Sequence, residues 1–476
     1  MGWSRPKGSE PALFALDDDI VAVATPKGRG GIGIVRVSGD NAEGIGRALF
    51  QPAQPKLFTP RRLSLGRVVE PGTGDCVDQV LAVLMKGPAT YTGQDVFEFQ
   101  AHGGPLVVER IVELCLEKGA RTAGPGEFTM RAFLAGKIDL SQAEAVLALV
   151  EAKTRAASRL AARQLEGGLT SSLAGIRSAL AEIMARLEVG VDFPDEGIEE
   201  TPYPELSREL AERALAPLNG LLAQATRARC LRKGARVVLS GPVNVGKSSL
   251  FNKLLDKERA LVFPQPGTTR DYLEADLELE ELPVVLVDTA GTRAETPSLA
   301  APVEAAGIAL ADRMRSTADL ILQVAAADSE PIPPRPEEPG LDPAQKIILV
   351  VNRIDLVGED RIEKFRRLNP YPVMVLTSAK TGQGVVELKS AIRRCLAPEG
   401  SLTRGLTWLP NLRQEECLKR AMKGLEGAAR GLSAGLPPEV ILVDLRSGLD
   451  GLGELTGESV GEAVLETIFS RFCIGK

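Results

Sequence analysis

Gly241-Pro-Val-Asn-Val-Gly-Lys-Ser248 is the stretch on which the reading of this chain turns. It fits Gly-x4-Gly-Lys-Ser/Thr, the loop whose backbone N–H groups cradle the α- and β-phosphates of a nucleotide. Its flanks suit that reading. Ala235-Arg-Val-Val-Leu-Ser240 predicts a short buried strand before the loop, and Ser249-Leu-Phe-Asn-Lys-Leu-Leu255 opens a helix after it. A bound phosphate would then meet a glycine-lined turn and the positive end of a helix dipole. Lys247 is expected at the β/γ-phosphates and the Ser248 hydroxyl on Mg²⁺. A plain turn before a helix explains the glycines but not the Lys-Ser pair.

Four further motifs follow at expected strand ends. Val284-Val-Leu-Val-Asp288 runs into Thr289-Ala290-Gly291, an Asp-x-x-Gly in which Asp288 holds Mg²⁺ through water and the Gly291 N–H senses the γ-phosphate. Gly267-Thr268-Thr269-Arg-Asp271 lies between, with Thr269 to complete the Mg²⁺ shell. Ile347–Val351 precedes Asn352-Arg353-Ile-Asp355, an Asn-Lys-x-Asp guanine reader with Arg in place of Lys. Asp355 would accept two hydrogen bonds from the guanine N1–H and 2-amino group, which adenine cannot supply. Arg353 would stack its flat guanidinium on the base. Thr377-Ser378-Ala379-Lys380 adds a loop for the guanine carbonyl. The set resembles a Ras-like GTPase, so the expected nucleotide is GTP or GDP. Its expected contacts also include Val245, Gly246, Ser249 and Phe263.

The chain has 476 residues, 44% hydrophobic and 25% charged, which suits a soluble protein of two to four domains. No apolar run reaches the ~18 residues that would span a bilayer. Acidic residues in the first twenty positions (Glu10, Asp17, Asp18, Asp19) argue against a signal or transit peptide. Six cysteines without Cys-x-x-Cys pairing point to reduced thiols in a cytoplasm rather than a zinc site or disulfide frame. A net charge of −6 is not that of a general nucleic-acid binder.

The expected fold is multidomain, α+β and α/β. An α+β module at 1–136 has strands at 19–24, 32–37, 80–85 and 95–100 and a helix at 105–118. Its Gly31-Ile-Gly33 precedes a strand and is no dinucleotide fingerprint. His102, the single histidine, is read as a turn or core residue, because nothing local pairs with it as base and orienter. Helical periodicity covers 137–233 and 398–476, with the nucleotide domain at 234–397 inserted between these halves of one helical domain. The basic run Arg227, Arg229, Arg232, Lys233 and Arg236 reads as a solvated linker before an RNA-touching patch. Phe472-Cys-Ile-Gly-Lys476 reads either as a frayed tail or as a thiol and charged terminus delivered to a site elsewhere.

Thr25-Pro-Lys-Gly-Arg-Gly-Gly-Ile-Gly33, Tyr91-Thr-Gly93, Ala101-His-Gly-Gly104, Pro125-Gly-Glu-Phe128, Asp192-Phe-Pro-Asp-Glu196 and the Cys-Ile-Gly-Lys end are similar to motifs of the MnmE (TrmE) family of tRNA-modification GTPases. The resemblance spans about 18–476. It implies a homodimer that acts with the FAD-dependent partner MnmG on carbon 5 of the wobble uridine in certain tRNAs. It also implies a one-carbon tetrahydrofolate, in the 5-formyl or methylene form, bound by Arg36, Glu98, Lys137 and Lys476, and a reactive thiol at Cys473. A guanidinium and an ammonium suit a folate carboxylate, and a carboxylate suits the pterin N–H groups. For hydrolysis the resemblance implies Glu304 as the residue that orients water, with Glu295 competing, since Thr292 stands where Ras-like enzymes carry Gln. It implies K⁺ held by Asn244 and by the loop of Phe263, Gln265 and Thr268. A cation beside the β–γ bridging oxygen would do the work of an arginine finger. Arg270 and Arg293 would serve closure of the dimer. Pro264 and Pro266 stiffen this loop relative to the family pattern. The competing classes are a regulatory GTPase in ribosome or RNA maturation and a folate-binding protein with a structural GTPase half. The first lacks a basic RNA-binding domain here; the intact Lys247, Ser248, Asp288 and Asp355 oppose the second.

Overall fold

The computed structural model describes residues 17–55, 58–192, 202–242, 244–259, 273–280, 282–288, 318–329, 346–396 and 406–476. The chain divides into two compact units, one of residues 1–147, 165–214 and 420–476, the other of 148–164 and 215–419. Among the described residues no helix is long and apolar enough to cross a membrane.

The first unit is built on a seven-stranded sheet of β1 (Ile20–Val23), β2 (Gly30–Ser38), β3 (Phe50–Pro52), β4 (Ser64–Val69), β5 (Cys76–Met85), β6 (Val96–Gly103) and β7 (Arg121–Thr122), in the order β3-β4-β5-β6-β2-β1-β7. Alternation along β2 and β6 gives the sheet its main buried face. Val35, Val37, Phe97 and Phe99 point into a core closed by α1 (Ala42–Leu49) and α2 (Pro105–Glu117) through Ile45, Leu49, Ile111 and Leu114. The intervening residues form the open face, where the register sets Arg36 directly opposite Glu98. α3 (Glu127–Leu134) and most of α4 (Leu140–Val150) follow in this unit; α5 (Arg155–Leu165) falls almost wholly in the second. The helical part of this unit pairs α6 (Gly168–Asp192) with α13 (Pro438–Thr456). α13 also meets the C-terminal half of α12 (Leu412–Ala434) at glycines, where a Cβ on Gly424 would lie 2.7 Å from the Gly448 nitrogen. α14 (Glu462–Phe469) ends against α3 through Phe469 and Met130.

In the second unit six strands, β8 (Ala235–Ser240), β9 (Leu273–Leu279), β10 (Leu282–Asp288), β11 (Leu320–Ala326), β12 (Lys346–Asn352) and β13 (Met374–Leu376), stand in the order β13-β12-β11-β8-β10-β9. All neighbours are parallel except β9 and β10. Apolar residues fill both sides of these strands, as a sheet covered on both faces requires. α9 (Lys247–Arg259) and α11 (Val385–Leu396) pack on one face through Leu250, Leu254, Leu388 and Ile392; α10 (Glu359–Leu368) covers the other through Phe365. The chain winds outward from β8 in both directions, so the crevice for a ligand opens at its carboxyl end. α7 (Tyr203–Leu210) ends the first unit's middle segment and continues in sequence, through a π-helical turn at Ala211–Leu215, as α8 (Ala216–Lys233) of the second. α8 buries Ala228 and Leu231 against Ala156 and Leu160 of α5.

The basic run is therefore not a linker. Arg227, Arg229, Arg232 and Lys233 belong to the continuous helix α8, while Arg236 is a β8 residue whose guanidinium lies 2.6 Å from Glu274. Helical periodicity through Leu221, Ala225, Ala228 and Leu231, all buried, outweighs the polar composition.

Candidate nucleotide site and N-terminal module

Among the described residues of the loop after β8, Gly241 (143°), Asn244 (63°) and Gly246 (91°) have positive φ. The glycines are also needed for space. A Cβ on Gly241 would overlap the Val324 carbonyl, and one on Gly246 would overlap Asn352 Nδ2. Lys247, buried at the start of α9, donates from Nζ to the carbonyls of Gly241 (2.8 Å) and Pro242 (2.7 Å), which curls the loop around its own ammonium. Ser248 Oγ donates to Asp288 Oδ2 at 2.8 Å, bringing the loop hydroxyl onto the fully buried acid at the end of β10. Two oxygen donors at that separation suit a hard divalent cation.

Asn352, at the end of β12, ties the base side to the phosphate side. Its Nδ2 donates to the Val245 carbonyl (3.0 Å), and its Oδ1 accepts from the Ala379 N–H (3.0 Å). Ser378 Oγ donates to Asp355 Oδ1 at 2.6 Å and so orients the carboxylate. Arg353, itself left-handed at φ 64°, turns its guanidinium to the Asn244 carbonyl and lies 3.4 Å from Asp328. Asp328, two residues beyond β11, was missed in the sequence; an acid just past a buried apolar strand was the available signal. Ser249 sits exposed in the first turn of α9, and Lys380 lies beside Ala379. Phe263, Gln265, Gly267, Thr268, Thr269, Thr289, Ala290, Gly291, Glu295 and Glu304 fall outside the described residues, as do Arg270, Thr292, Arg293 and most of the Asp192–Glu196 motif.

In the first unit, Arg36 Nε donates to Glu98 Oε1 at 2.7 Å, and the guanidinium sits 5.7 Å from the centre of the Phe128 ring. Lys137 lies just past α3 with its stem beside Gly93. The tail is not frayed. Ile474 bridges Pro125 as a strand partner, and Gly475 (φ 97°) packs its α-carbon so closely on the Val23 carbonyl that a Cβ would overlap it. Cys473 stays exposed, and the Lys476 N–H returns to the Cys473 carbonyl at 3.3 Å. A β-bridge and a glycine contact fix five residues that composition alone leaves free.

Pro125-Gly-Glu-Phe128 proves to be the platform for that tail. The Cα of Gly126 faces Phe469 and Phe472, and the Glu127 carboxylate, fully buried, takes hydrogen bonds from Arg121 (2.7 Å), Arg131 (2.9 Å) and the Gly124 N–H (2.8 Å). Burial pushes the Glu127 carboxyl up, but the two guanidiniums and the N–H outweigh it and hold it below the ordinary glutamate range. Asp18 is lowered in the same way: Arg121 and Arg131 overcome its burial.

His102 corrects its sequence reading. It is neither buried nor without a partner: its side chain is 73% exposed, and Asp78 binds both its Nδ1 (2.8 Å) and its backbone N–H (2.8 Å). Asp78 comes from β5, a strand away, so no local inspection of the motif could find it.

A sheet wound about β8, a Gly-x4-Gly-Lys-Ser turn against the β10 acid, and an Asn-Arg-x-Asp loop held to that turn define a P-loop GTPase. Two family models match the chain, the GTP-binding protein TrmE N-terminus over residues 19–137 and the MnmE helical domain over residues 140–473. Proteins named tRNA modification GTPase MnmE are 42% identical in Roseiflexus castenholzii (97% of this chain, 99% of that one) and 42% identical in a strain of Thermus thermophilus (98% and 100%). The namesake in Chloroflexus aurantiacus is 43% identical (97% and 100%). The chain belongs to the MnmE family. Among solved structures it is also similar to a variant of Aquifex aeolicus Era bound to GDP and aluminium fluoride, 28% identical, with a TM-score of 0.27 over 40% of this chain and 66% of that one.

Proposed function

We propose that this protein is a K⁺-activated GTPase that works as a homodimer with the FAD-dependent protein MnmG in the cytoplasm. Together they build the 5-carboxymethylaminomethyl, or aminomethyl, group on wobble uridine 34 of certain tRNAs. The reading is supported chiefly by the approach of Ser248 to Asp288, which joins the phosphate loop to the buried acid at 2.8 Å.

In this reading Lys247 leaves the carbonyls of its own loop to meet the β/γ-phosphates, and the loop N–H groups take the α- and β-phosphates. Ser248, with Thr269, and Asp288 through water would hold Mg²⁺, which supplies charge neutralisation on the β- and γ-oxygens. Asp355, held by Ser378, reads the guanine N1–H and 2-amino group, while Ala379 and Lys380 serve the carbonyl. Asn244, with the loop of Phe263, Gln265 and Thr268, would hold K⁺, which stabilises charge on the leaving group. Glu304 orients the attacking water. In the N-terminal module Arg36 and Lys476 take the carboxylates of a 5-formyl- or methylene-tetrahydrofolate, Glu98 takes its pterin N–H groups and Lys137 adds charge. That folate supplies the one-carbon unit, and Cys473 brings a thiol beside it. The domain scheme that goes with this reading is a folate module at 1–136, a helical domain at 137–233 and 398–476, and a GTPase domain at 234–397.

The test is steady-state GTP hydrolysis in KCl and NaCl at matched ionic strength, with Asn244→Ala beside the unaltered protein. Faster turnover in KCl, lost in the variant, is the expected result. Equal rates in the two salts would overturn the cation mechanism.

A further inference from the structure

Among the described residues, four other than glycine have positive φ: Arg61, Asn244, Glu280 and Arg353. Two of them meet at the nucleotide site, where the Arg353 guanidinium donates from Nη2 to the Asn244 carbonyl. Asparagine takes the left-handed conformation readily; arginine does not, and such a backbone persists only where its surroundings hold it, commonly at ligand sites. Arg353 is held by its own loop. The Ile354 N–H donates to the Thr377 carbonyl (3.2 Å), and the Leu356 N–H returns to the Arg353 carbonyl (3.1 Å). The side chain runs along the phosphate loop, with Nε 4.0 Å from where a Cβ on Gly246 would stand.

The far end of the guanidinium is held as well, for Nη1 donates to Asp328 Oδ2 at 3.4 Å. Asp328 is fixed from either side. Arg361 of α10 donates to the carbonyls of Ala327 (3.2 Å) and Ser329 (2.8 Å), and the Ala327 N–H donates to the Asn352 carbonyl (2.8 Å). The side chains of Asp328 and Arg353 are 35% and 37% exposed, and an ion pair so open to water adds little to folding stability. Its effect falls instead on the phosphate loop. Arg353 and Asn352 grip two successive carbonyls there, those of Asn244 and Val245. In a trans peptide the C=O and N–H of one unit point opposite ways, so each grip turns the next N–H, of Val245 and of Gly246, away from the base-reading loop. Such N–H groups are what cradles a phosphate.

We propose that Asp328 is a positioning residue for the nucleotide: through Arg353 it fixes the Asn244 carbonyl and so presets the Val245 N–H for phosphate. It rests on the reading of this site as one for guanine nucleotides.

The experiment follows release of N-methylanthraniloyl-GDP from the full-length protein, chased with excess GDP in the presence of Mg²⁺, by stopped-flow fluorescence. Asp328→Asn should release the nucleotide roughly three- to tenfold faster, the loss of one charge-assisted hydrogen bond at a half-exposed position. Asp328→Glu, which keeps the charge, should stay close to the unaltered rate. Arg353→Gln should release faster still, and Asp328→Asn should add nothing to it, because the carboxylate acts only through the guanidinium. The thermal melt without nucleotide should be the same for Asp328→Asn as for the unaltered protein. If it falls, Asp328→Ser, alone and with Arg353→Gln, carries the same expectations. An Asp328→Asn protein that holds the nucleotide as long as the unaltered one would overturn the positioning role and leave the nucleotide site standing. Equal acceleration by Asp328→Asn with and without Arg353 would do the same, since the carboxylate would then act by another route. An unaltered protein that binds no guanine nucleotide would overturn both.

Discussion

Arg36 and Glu98 face each other across β2 and β6 as directly opposed residues, Nε to Oε1 at 2.7 Å, on the open face of the sheet. Both are partly exposed, so the pair itself contributes little to stability, about 0–1 kcal/mol. Glu98→Gln should therefore melt within a few degrees of the unaltered protein while binding 5-formyltetrahydrofolate at least tenfold more weakly by calorimetry. GTP hydrolysis should not change. Undiminished folate affinity would remove Glu98 from the folate site.

Asp355 is poised by Ser378 to accept two hydrogen bonds from guanine. Asp355→Asn offers an acceptor and a donor instead, which suits xanthine, whose 2-position is a carbonyl. Competition binding with GDP and XDP should show GDP affinity falling by at least a hundredfold and preference reversing toward XDP. Retained GDP preference would mean the base is read elsewhere.

Gly246 leaves no room for a Cβ beside Asn352 Nδ2, and its φ of 91° strains any L side chain. Gly246→Ala should push Asn352 off the Val245 carbonyl and weaken GDP binding by well over tenfold, measured with a fluorescent nucleotide. The cost to stability is on the order of 1–3 kcal/mol, as for other strained backbone positions.

Glu127 has a carboxyl held below its unfolded value of 4.5, so its contribution to stability is complete above that value and lost as pH falls through the folded one. Chemical denaturation from pH 7 down to pH 3 should show stability declining below about pH 4.5. Glu127→Gln should lower stability at pH 7 by about 3–5 kcal/mol, because Arg121 and Arg131 lose their shared buried counter-charge. It should also flatten the acid limb of the profile. An unaltered acid limb would assign the pH dependence to other carboxylates.

The nucleotide domain was readable because its chemistry is local. Val245, Lys247 and Ser248 lie within one turn, and Asp288, Asn352 and Ser378 each follow or end an apolar strand that announces itself. Arg353 shows where this stops: its identity was plain, but its contacts with the Asn244 carbonyl and Asp328 depend on how separate loops meet. The N-terminal module was less legible for the same reason. Short β3 and β4 carry too few alternations to be seen, and Asp78 reaches His102 only through strand pairing. Nothing in the sequence beside Glu127 marks it as the acid that gathers two arginines inside the fold.

The seating of Ile474 on Pro125 and of Gly475 on Val23 sets an order on biosynthesis. Residue 125 leaves the ribosome some tens of seconds before residue 474, at ~5–20 residues per second. Throughout that interval Pro125 and the end of β1 lack the contacts that the tail supplies, and a product arrested anywhere in between never acquires them. The last contacts of the earliest-made part of this protein are thus made only by chains translated through Gly475.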